Sequence, residues 1–465
     1  MKTGRLAMLV LVLFIFGCQK EDNSVIAPNA QNYLSAFRFL KVLNPELSED
    51  LTGNVMEQRI TLQAPAGLYL NNLIASFDNE PESNIYVGNN EPTSRKTNNN
   101  FSAPLVYRVL ASNESANYKG VEIHPMFPEL DQALETVMQQ YQVPGLTVAI
   151  VKNEKLVFAK GYGYANKETH QPVDNESLFR IASISKPITA VAILKLAQDG
   201  KLKLSDKVFG SAGILRNEFG NVPAGSNLEA ITVQNLLEHK SGWINQPNDP
   251  MMANLNLSHQ ELIADIVQHR PLAYSPGSTY YYSNFGYCVL GRIIEKVSGK
   301  TYSSYVQSAI LQPLGIIDMR LASNTQAQSA LNEVTYYQEN DNPYAYNINR
   351  MDAHGGWLAT ATDLMRLMVH IDRNTKAADI VSSDMLNQTY MGYYNWFHTG
   401  SFPGTSAILT RLDDEYSFAV LANTRNNDQP FAITDALYAA IKEQLLLKTN
   451  WPEADLFTQN RQGTQ

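Results

Sequence analysis

The reading of this chain starts from Arg180-Ile181-Ala182-Ser183-Ile184-Ser185-Lys186-Pro187. Ser183 and Lys186 stand three residues apart, so on a helix both side chains lie on one face within touching distance. Ile188, Val191, Leu194 and Ala197 continue the helical period and bury the neighbouring stripe, and Gly200 supplies a stop. Pro187 is tolerated only in a first helical turn. Ser183 therefore falls at the helix N-terminus, where unpaired N–H groups and the helix dipole favour developing negative charge. A serine hydroxyl is a poor nucleophile at its ordinary pKa and needs a base within hydrogen-bond reach and donors aimed at the oxyanion it creates. Lys186 meets the first need. On the short pattern alone the commoner outcome is a capping serine beside a solvated lysine.

Two motifs further along change those odds. Tyr282-Ser283-Asn284 follows Pro276-Gly277-Ser278-Thr279-Tyr280-Tyr281 and precedes the apolar helical run Val289, Leu290, Ile293, Ile294 and Val297. His398-Thr399-Gly400 precedes the runs Ala407 to Leu412 and Phe418 to Ala422, which read as a hairpin turning at Asp413-Asp414. With Ser-x-x-Lys, Tyr-x-Asn and His-x-Gly in this order, residues 127–447 resemble the serine beta-lactamase and penicillin-binding family. Within it they look most like the branch of class C beta-lactamases, D-alanyl-D-alanine carboxypeptidases, esterases and D-aminopeptidases. Leu236-Leu237-Glu238-His239-Lys240-Ser241-Gly242 and Gly355-Gly356-Trp357-Leu358-Ala359-Thr360-Ala361-Thr362-Asp363-Leu364 resemble segments of the same family.

The resemblance implies a role for each motif residue. Ser183 forms the acyl-enzyme. Lys186 lies between Ser183 and Tyr282, where its charge favours a phenolate and draws Tyr282 below the usual tyrosine pKa of about 10. Either the ionised Tyr282 or a Lys186 whose own pKa is depressed by burial then takes the serine proton. Asn284 holds Lys186 and the substrate amide through its two-sided side chain. His398 stands where many relatives carry lysine, so a fixed positive charge becomes a titratable one. Thr399 completes the motif, Gly400 lets substrate approach the strand edge, and the backbone N–H groups of Ser183 and Ser401 form the oxyanion hole. Tyr280, Tyr281 and Tyr287 are expected to be packing or rim aromatics, His239 to be structural, and Ser185 and Ser283 to bond locally.

Other chemistries leave no signature. There is no Gly-x-Ser-x-Gly elbow, no His-Glu-x-x-His or paired Cys/His cluster, and no glycine-rich phosphate loop. No metal or organic cofactor is expected. A net charge of −9 without a basic patch argues against nucleic acid as a partner.

Lys2 and Arg5 precede the apolar run Leu6 to Phe16, which ends at Gly17-Cys18. This resembles a bacterial lipoprotein signal. Residues 1–17 would be removed, Cys18 lipidated, and 18–29 would form a linker at the cell envelope, attached to the membrane by the lipid alone. Cys288, the other cysteine, is then unpaired and buried on an apolar helix.

Residues 30–123 consist of short β-rich runs between Asn, Ser, Pro and Gly clusters: Phe37–Leu40, Ile60–Leu62, Leu73–Phe77, Ile85–Val87, Leu105–Leu110 and Tyr118–Ile123, with Asn98-Asn99-Asn100 as a loop. This spacing predicts a small all-β sandwich similar to immunoglobulin-like modules, acting as a spacer or weak binding unit. Residues 127–447 are expected to be α/β (α+β) and two-lobed. A hairpin turning at Asn153-Glu154 joins the His398 strand and the Ala407–Ala422 hairpin in one antiparallel sheet, the helix 433–447 packs on that sheet, and 163–356 supply a helical lobe. Residues 448–465 form a tail. The expected activity is metal-independent hydrolysis of an amide, peptide, lactam or ester, cell-wall peptides among them. The alternative is a catalytically silent surface binding protein.

Overall fold

The computed structural model describes residues 34–447, apart from 46, 48, 57–58, 66–71, 80–82, 89, 102–104, 111–114 and 118–119, together with 451 and 455–459. The expected signal segment, Cys18 and the linker to 29 lie outside the described residues.

Aromatic burial organises the described residues between 34 and 123. Phe37 meets Phe39, Phe101 and Tyr107 edge-on at centroid distances of 5.6, 6.3 and 5.2 Å, an arrangement that suits the ring quadrupoles. Leu34, Ile60, Leu62 and Val109 complete this core. Three small sheets enclose it, with strand orders Leu51–Thr52, Leu34–Phe39, Leu73–Asn79, Asn98–Asn99; Gly120–Met126, Arg59–Pro65, Asn54–Met56; and Asn84–Val87, Tyr107–Leu110, Ser115–Asn117. All six apolar runs read from the sequence overlap strands. The asparagine run does not stay a loop: Asn98 and Asn99 pair with Ile74 and Leu73. Their polar side chains are tolerated because this short strand lies at a sheet edge, where pairing asks only for backbone groups.

The last of these strands ends at Met126, and helix α1 (Pro128–Gln140) begins two residues later. Pro128 suits the first helical position because its missing N–H has no intrahelical partner there. Strands β1 (Gly145–Lys152) and β2 (Lys155–Asn166) form the expected hairpin. Asn153 and Glu154 both take positive φ, 50° and 64°, as a two-residue turn matching the strand twist requires. Strands β3 (Trp396–Phe402), β4 (Thr405–Arg411) and β5 (Tyr416–Ala422) extend the sheet in the order β2-β1-β5-β4-β3, every pair antiparallel, with β3 at the edge.

Both faces of this sheet are covered. Leu146, Val148 and Ile150 face α1 and the final helix, which meets them through Leu437, Ile441 and Leu445. Ala149 and Val151 face the helical lobe. β1, β4 and β5 are accordingly buried almost throughout instead of alternating between buried and exposed positions. In the lobe, helix α2 (Ser185–Gln198) departs from the single-stripe expectation: Ser185 to Leu194 are all buried. It is the central helix, apolar all round because neighbours enclose it. Helices α3 (Val233–Leu237), α4 (Pro250–Ala253), α5 (Asn284–Ser298) and α6 (Asp352–Gly355) contribute to the core of the same lobe, and α7 (Ala432–Leu447) is the final helix on the other face of the sheet. Among the described residues no helix is long and apolar enough to cross a membrane.

Candidate active site

Ser183 sits in the middle of a 3-10 turn, Ala182–Ile184, that feeds directly into α2. Ala182 has a φ of 43°, a left-handed conformation that costs a non-glycine residue on the order of 1–3 kcal/mol and persists only where its surroundings enforce it. Those surroundings are visible. Ile181 N–H donates to the Trp357 carbonyl at 3.1 Å, and Tyr336 Oη accepts Arg180 N–H at 2.8 Å while donating to Glu333 Oε1 at 3.0 Å. The buried Arg180 guanidinium donates to the Pro343 carbonyl at 2.7 Å and lies over the rings of Tyr336 and Tyr344. Part of the 320–350 region thus braces the chain leading into Ser183.

Lys186, the second residue of α2, is fully buried. Its Nζ lies 3.1 Å from Ser183 Oγ, 2.7 Å from Asn284 Oδ1 and 2.8 Å from the His354 carbonyl oxygen. The two carbonyl-type oxygens can only accept, so they commit two N–H bonds. The third direction faces Ser183, whose hydroxyl can accept from an ammonium or donate to an amine. Burial brings Lys186 down to about 7, against a smaller opposing pull from the Asp249 charge. Near neutral pH a substantial share of Lys186 is the free amine, with its lone pair directed at Ser183.

Asn284 opens α5 behind Ser283, whose hydroxyl caps the helix by accepting from Gly286 N–H at 2.9 Å. The Asn284 amide is held from both sides. Oδ1 receives Lys186, while Nδ2 donates to Asp249 Oδ2 at 2.6 Å.

Tyr282 comes to the same place and its phenol is hydrogen-bonded to Ser183, but its ionisation runs opposite to expectation. Desolvation raises its pKa well above the ordinary tyrosine value, and the Ser183 bond only partly offsets this. The reason is geometric. Lys186 Nζ sits over the ring, 4.7 Å from its centroid, and spends its hydrogen bonds elsewhere, so the phenol oxygen has no cation in contact. Burial then penalises the charged form of both groups, leaving a neutral phenol beside a lysine that readily gives up its proton.

His239, read from the sequence as structural, packs its ring 4.6 Å from Tyr282 and 5.0 Å from Tyr287. Its Nδ1 also accepts Ser283 N–H at 3.1 Å, which fixes the turn carrying Tyr282. Tyr287 is buried and donates to the Leu237 carbonyl, whereas Tyr280 is exposed at the rim.

The third motif lies on edge strand β3. His398 stands 6.5 Å, ring to ring, from Tyr282. Its Nδ1 pairs with the Thr399 carbonyl at 2.9 Å, so Nδ1 carries the proton. Desolvation, reinforced by the Lys186 charge, lowers His398 to about 4. The ring is neutral at pH 7. Ser401 follows on the same strand, its hydroxyl donating to the Pro430 carbonyl at 3.3 Å. Gly400 also has a structural use. A Cβ there would stand 2.2 Å from the Ile181 carbonyl oxygen, so the missing side chain admits the backbone leading to Ser183. Thr399 lies beside it, partly exposed.

The structure therefore gathers Ser183, Lys186, Tyr282 and Asn284, with His398 opposite. Sequence reasoning missed Asp249, the His354 carbonyl and Asn245, which donates to the Tyr282 carbonyl at 3.1 Å. Only Asp249 had a local signal: an Asp directly before Pro250 reads as a helix cap. Among the described residues no cluster of His, Cys, Asp or Glu is arranged to hold a metal ion.

A two-lobed α/β fold with a buried lysine hydrogen-bonded to a serine at a helix N-terminus defines the serine beta-lactamase and penicillin-binding class of proteins. The family description "Beta-lactamase" matches residues 130–443, and the chain belongs to that family. Protein flp of Staphylococcus aureus is 27% identical over 327 residues, covering 65% of this chain and 64% of its own length; the chain thus spans less than two thirds of that relative. The octameric penicillin-binding protein homologue from Pyrococcus abyssi is 28% identical, with a TM-score of 0.56 over 72% of this chain and 80% of that one. The D-amino acid amidase from Ochrobactrum anthropi SV3 shares the fold, with a TM-score of 0.55, 23% identity, and coverage of 68% of this chain and 99% of its own.

Proposed function

We propose that the protein is a metal-independent serine hydrolase acting through a Ser183 acyl-enzyme on a small amide, peptide, lactam or ester. The observation that carries this reading is the Lys186 Nζ to Ser183 Oγ contact of 3.1 Å at a lysine brought down to about 7. Lys186 as the amine accepts the Ser183 proton while Oγ bonds to the substrate carbonyl carbon. The resulting oxyanion is held by the N–H groups of Ser183 and Ser401. As the carbonyl re-forms, the bond to the leaving nitrogen or oxygen breaks and that atom takes a proton from the Tyr282 phenol, which recovers one from the Lys186 ammonium. Water then attacks the acyl carbon, losing its proton to Lys186, and Ser183 leaves with a proton returned by the same pair.

Within these substrates the reading favours neutral amides, peptides and esters over substrates that present a carboxylate to the third motif, because a neutral His398 offers no fixed cation for it. The name of one relative, a D-amino acid amidase, fits the neutral-amide end of this range. We assign the same protein to the cell envelope through a lipid on Cys18, with 30–123 as a spacer, on the strength of Lys2, Arg5 and the apolar run before Cys18. A panel of nitrocefin, short-chain nitrophenyl esters and D-amino-acid peptides tests the reading against Ser183→Ala. Turnover lost in that variant supports it; no turnover of any of them and no Ser183 adduct with a fluorescent phosphonate or penicillin sinks it.

A further inference from the structure

We propose that Asp249 is a positioning residue for the Ser183 reaction, its carboxylate fixing the Asn284 amide so that Oδ1 alone is presented to Lys186. The inference rests on the reading above and adds a residue that none of the three motifs contains.

Asp249 caps α4, and its two oxygens divide the work. Oδ1 accepts Met251 N–H at 2.9 Å, which fixes the carboxylate on the short helix. Oδ2 accepts Asn284 Nδ2 at 2.6 Å. A carboxylate can only accept, and a lysine ammonium can only donate. An asparagine amide between them has one satisfied orientation, oxygen toward Lys186 and nitrogen toward Asp249. The reversed amide would set NH2 against NH3+ and oxygen against carboxylate, leaving Lys186 one acceptor short in a buried site. Asp249 therefore acts through Asn284 without touching Ser183.

The charge of Asp249 reaches Lys186 as well, and its sign can be read separately from position. The other titratable groups facing Lys186 are Tyr282 before α5, Tyr287 on α5, His239 after α3, His354 on α6 and His398 on β3. Burial holds all five in their neutral forms near pH 7. Asp249 is thus the group that supports the ammonium, and removing its charge moves the Lys186 titration to lower pH.

The test is the rate of phosphonate labelling at Ser183 against pH in the full chain, for the parent, Asp249→Asn and Asp249→Ala, alongside the Lys186 titration followed by NMR of 13Cε-lysine. Asp249→Asn keeps a capping oxygen and guards against loss of the fold, which thermal unfolding checks. Expected are a plateau rate about 10- to 100-fold lower, the scale of one lost charge-assisted hydrogen bond, and an acid limb and lysine titration both displaced to lower pH. A folded Asp249→Asn with the parent's plateau and limb overturns the proposal. A parent that is not labelled, with a lysine titration that still moves in the variant, overturns the hydrolase reading instead while leaving the Asp249–Lys186 coupling standing.

Discussion

Gly400 and Ile181 are in direct backbone contact: a Cβ built on Gly400 would lie 2.2 Å from the Ile181 carbonyl oxygen and 3.1 Å from the Ala407 side chain. The edge strand β3 and the turn carrying Ser183 are therefore held at a separation that only glycine permits. Backbone cannot rotate away as a flexible side chain can, so Gly400→Ala must push the strand off the turn. The expected result is a loss of roughly 1–3 kcal/mol of stability from overpacking. Labelling of Ser183 should fall by at least about 10-fold, because the Ser401 N–H, the proposed oxyanion donor, moves relative to Ser183 and such a donor is sensitive to shifts. A variant with the parent's melting temperature and labelling rate contradicts this.

Lys186→Arg and Tyr282→Phe separate the two candidate bases. An arginine stays charged at every accessible pH, so Lys186→Arg should lower acylation by the full scale of a general base, on the order of 10²–10⁴. Tyr282→Phe removes a proton relay and should cost about 100-fold. In the parent, the acylation rate should rise with pH through about 7, where Lys186 loses its proton, and level off above. A midpoint near the ordinary lysine or tyrosine value, found from the pH dependence of phosphonate labelling, would remove Lys186 from the role of base.

Much of this site was legible in the sequence because its parts are local or ordered. Ser183 and Lys186 sit one helical turn apart, and Asn284 follows Tyr282 by two residues at a capped helix start. That these strands share one antiparallel sheet was legible because the hairpins announce themselves through Asn153-Glu154 and Asp413-Asp414, but their order in it was not. What stayed hidden depends on three-dimensional closeness. The direction of the Tyr282 shift turns on Lys186 lying over the ring rather than at the phenol oxygen. Asp249 is 35 residues from Asn284 in sequence. The His354 contact uses a carbonyl, which every residue has, so no residue type could flag it.

Arg292 supports that carbonyl from below. Its Nη2 pairs with Asp352 Oδ2 at 2.7 Å in a nearly dry setting, at the start of the short helix α6 that ends in His354 and Gly355. Breaking a buried pair leaves an uncompensated charge, so Arg292→Met should cost about 3–5 kcal/mol, and Arg292→Met with Asp352→Asn should recover part of it. The Asp352 carboxyl is held down to about 2, with Arg292 its principal charge partner. A lowered carboxyl pKa contributes stability that is present above the unfolded value of about 3.9 and is lost as pH falls toward about 2. Chemical unfolding between pH 2 and 6 should show this increment in the parent and not in the double variant.

Lys186 has the opposite linkage, and it supplies a test of burial that needs no substrate. Its folded pKa of about 7 lies below the ordinary lysine value of 10.5, so between those limits the unfolded chain binds more protons than the native one. Stability then rises with pH across that window, by the sign of the proton-uptake relation. Below about 7 both states hold the proton, and the cost of burying the ammonium is present in full. Lys186→Met removes this group, so the difference in unfolding free energy between parent and variant should move in the parent's favour from pH 7 to pH 10 and stay level from pH 5 to pH 6. A difference independent of pH would mean that Lys186 titrates as it does in the unfolded chain, and the amine directed at Ser183 near neutral pH would be lost with it.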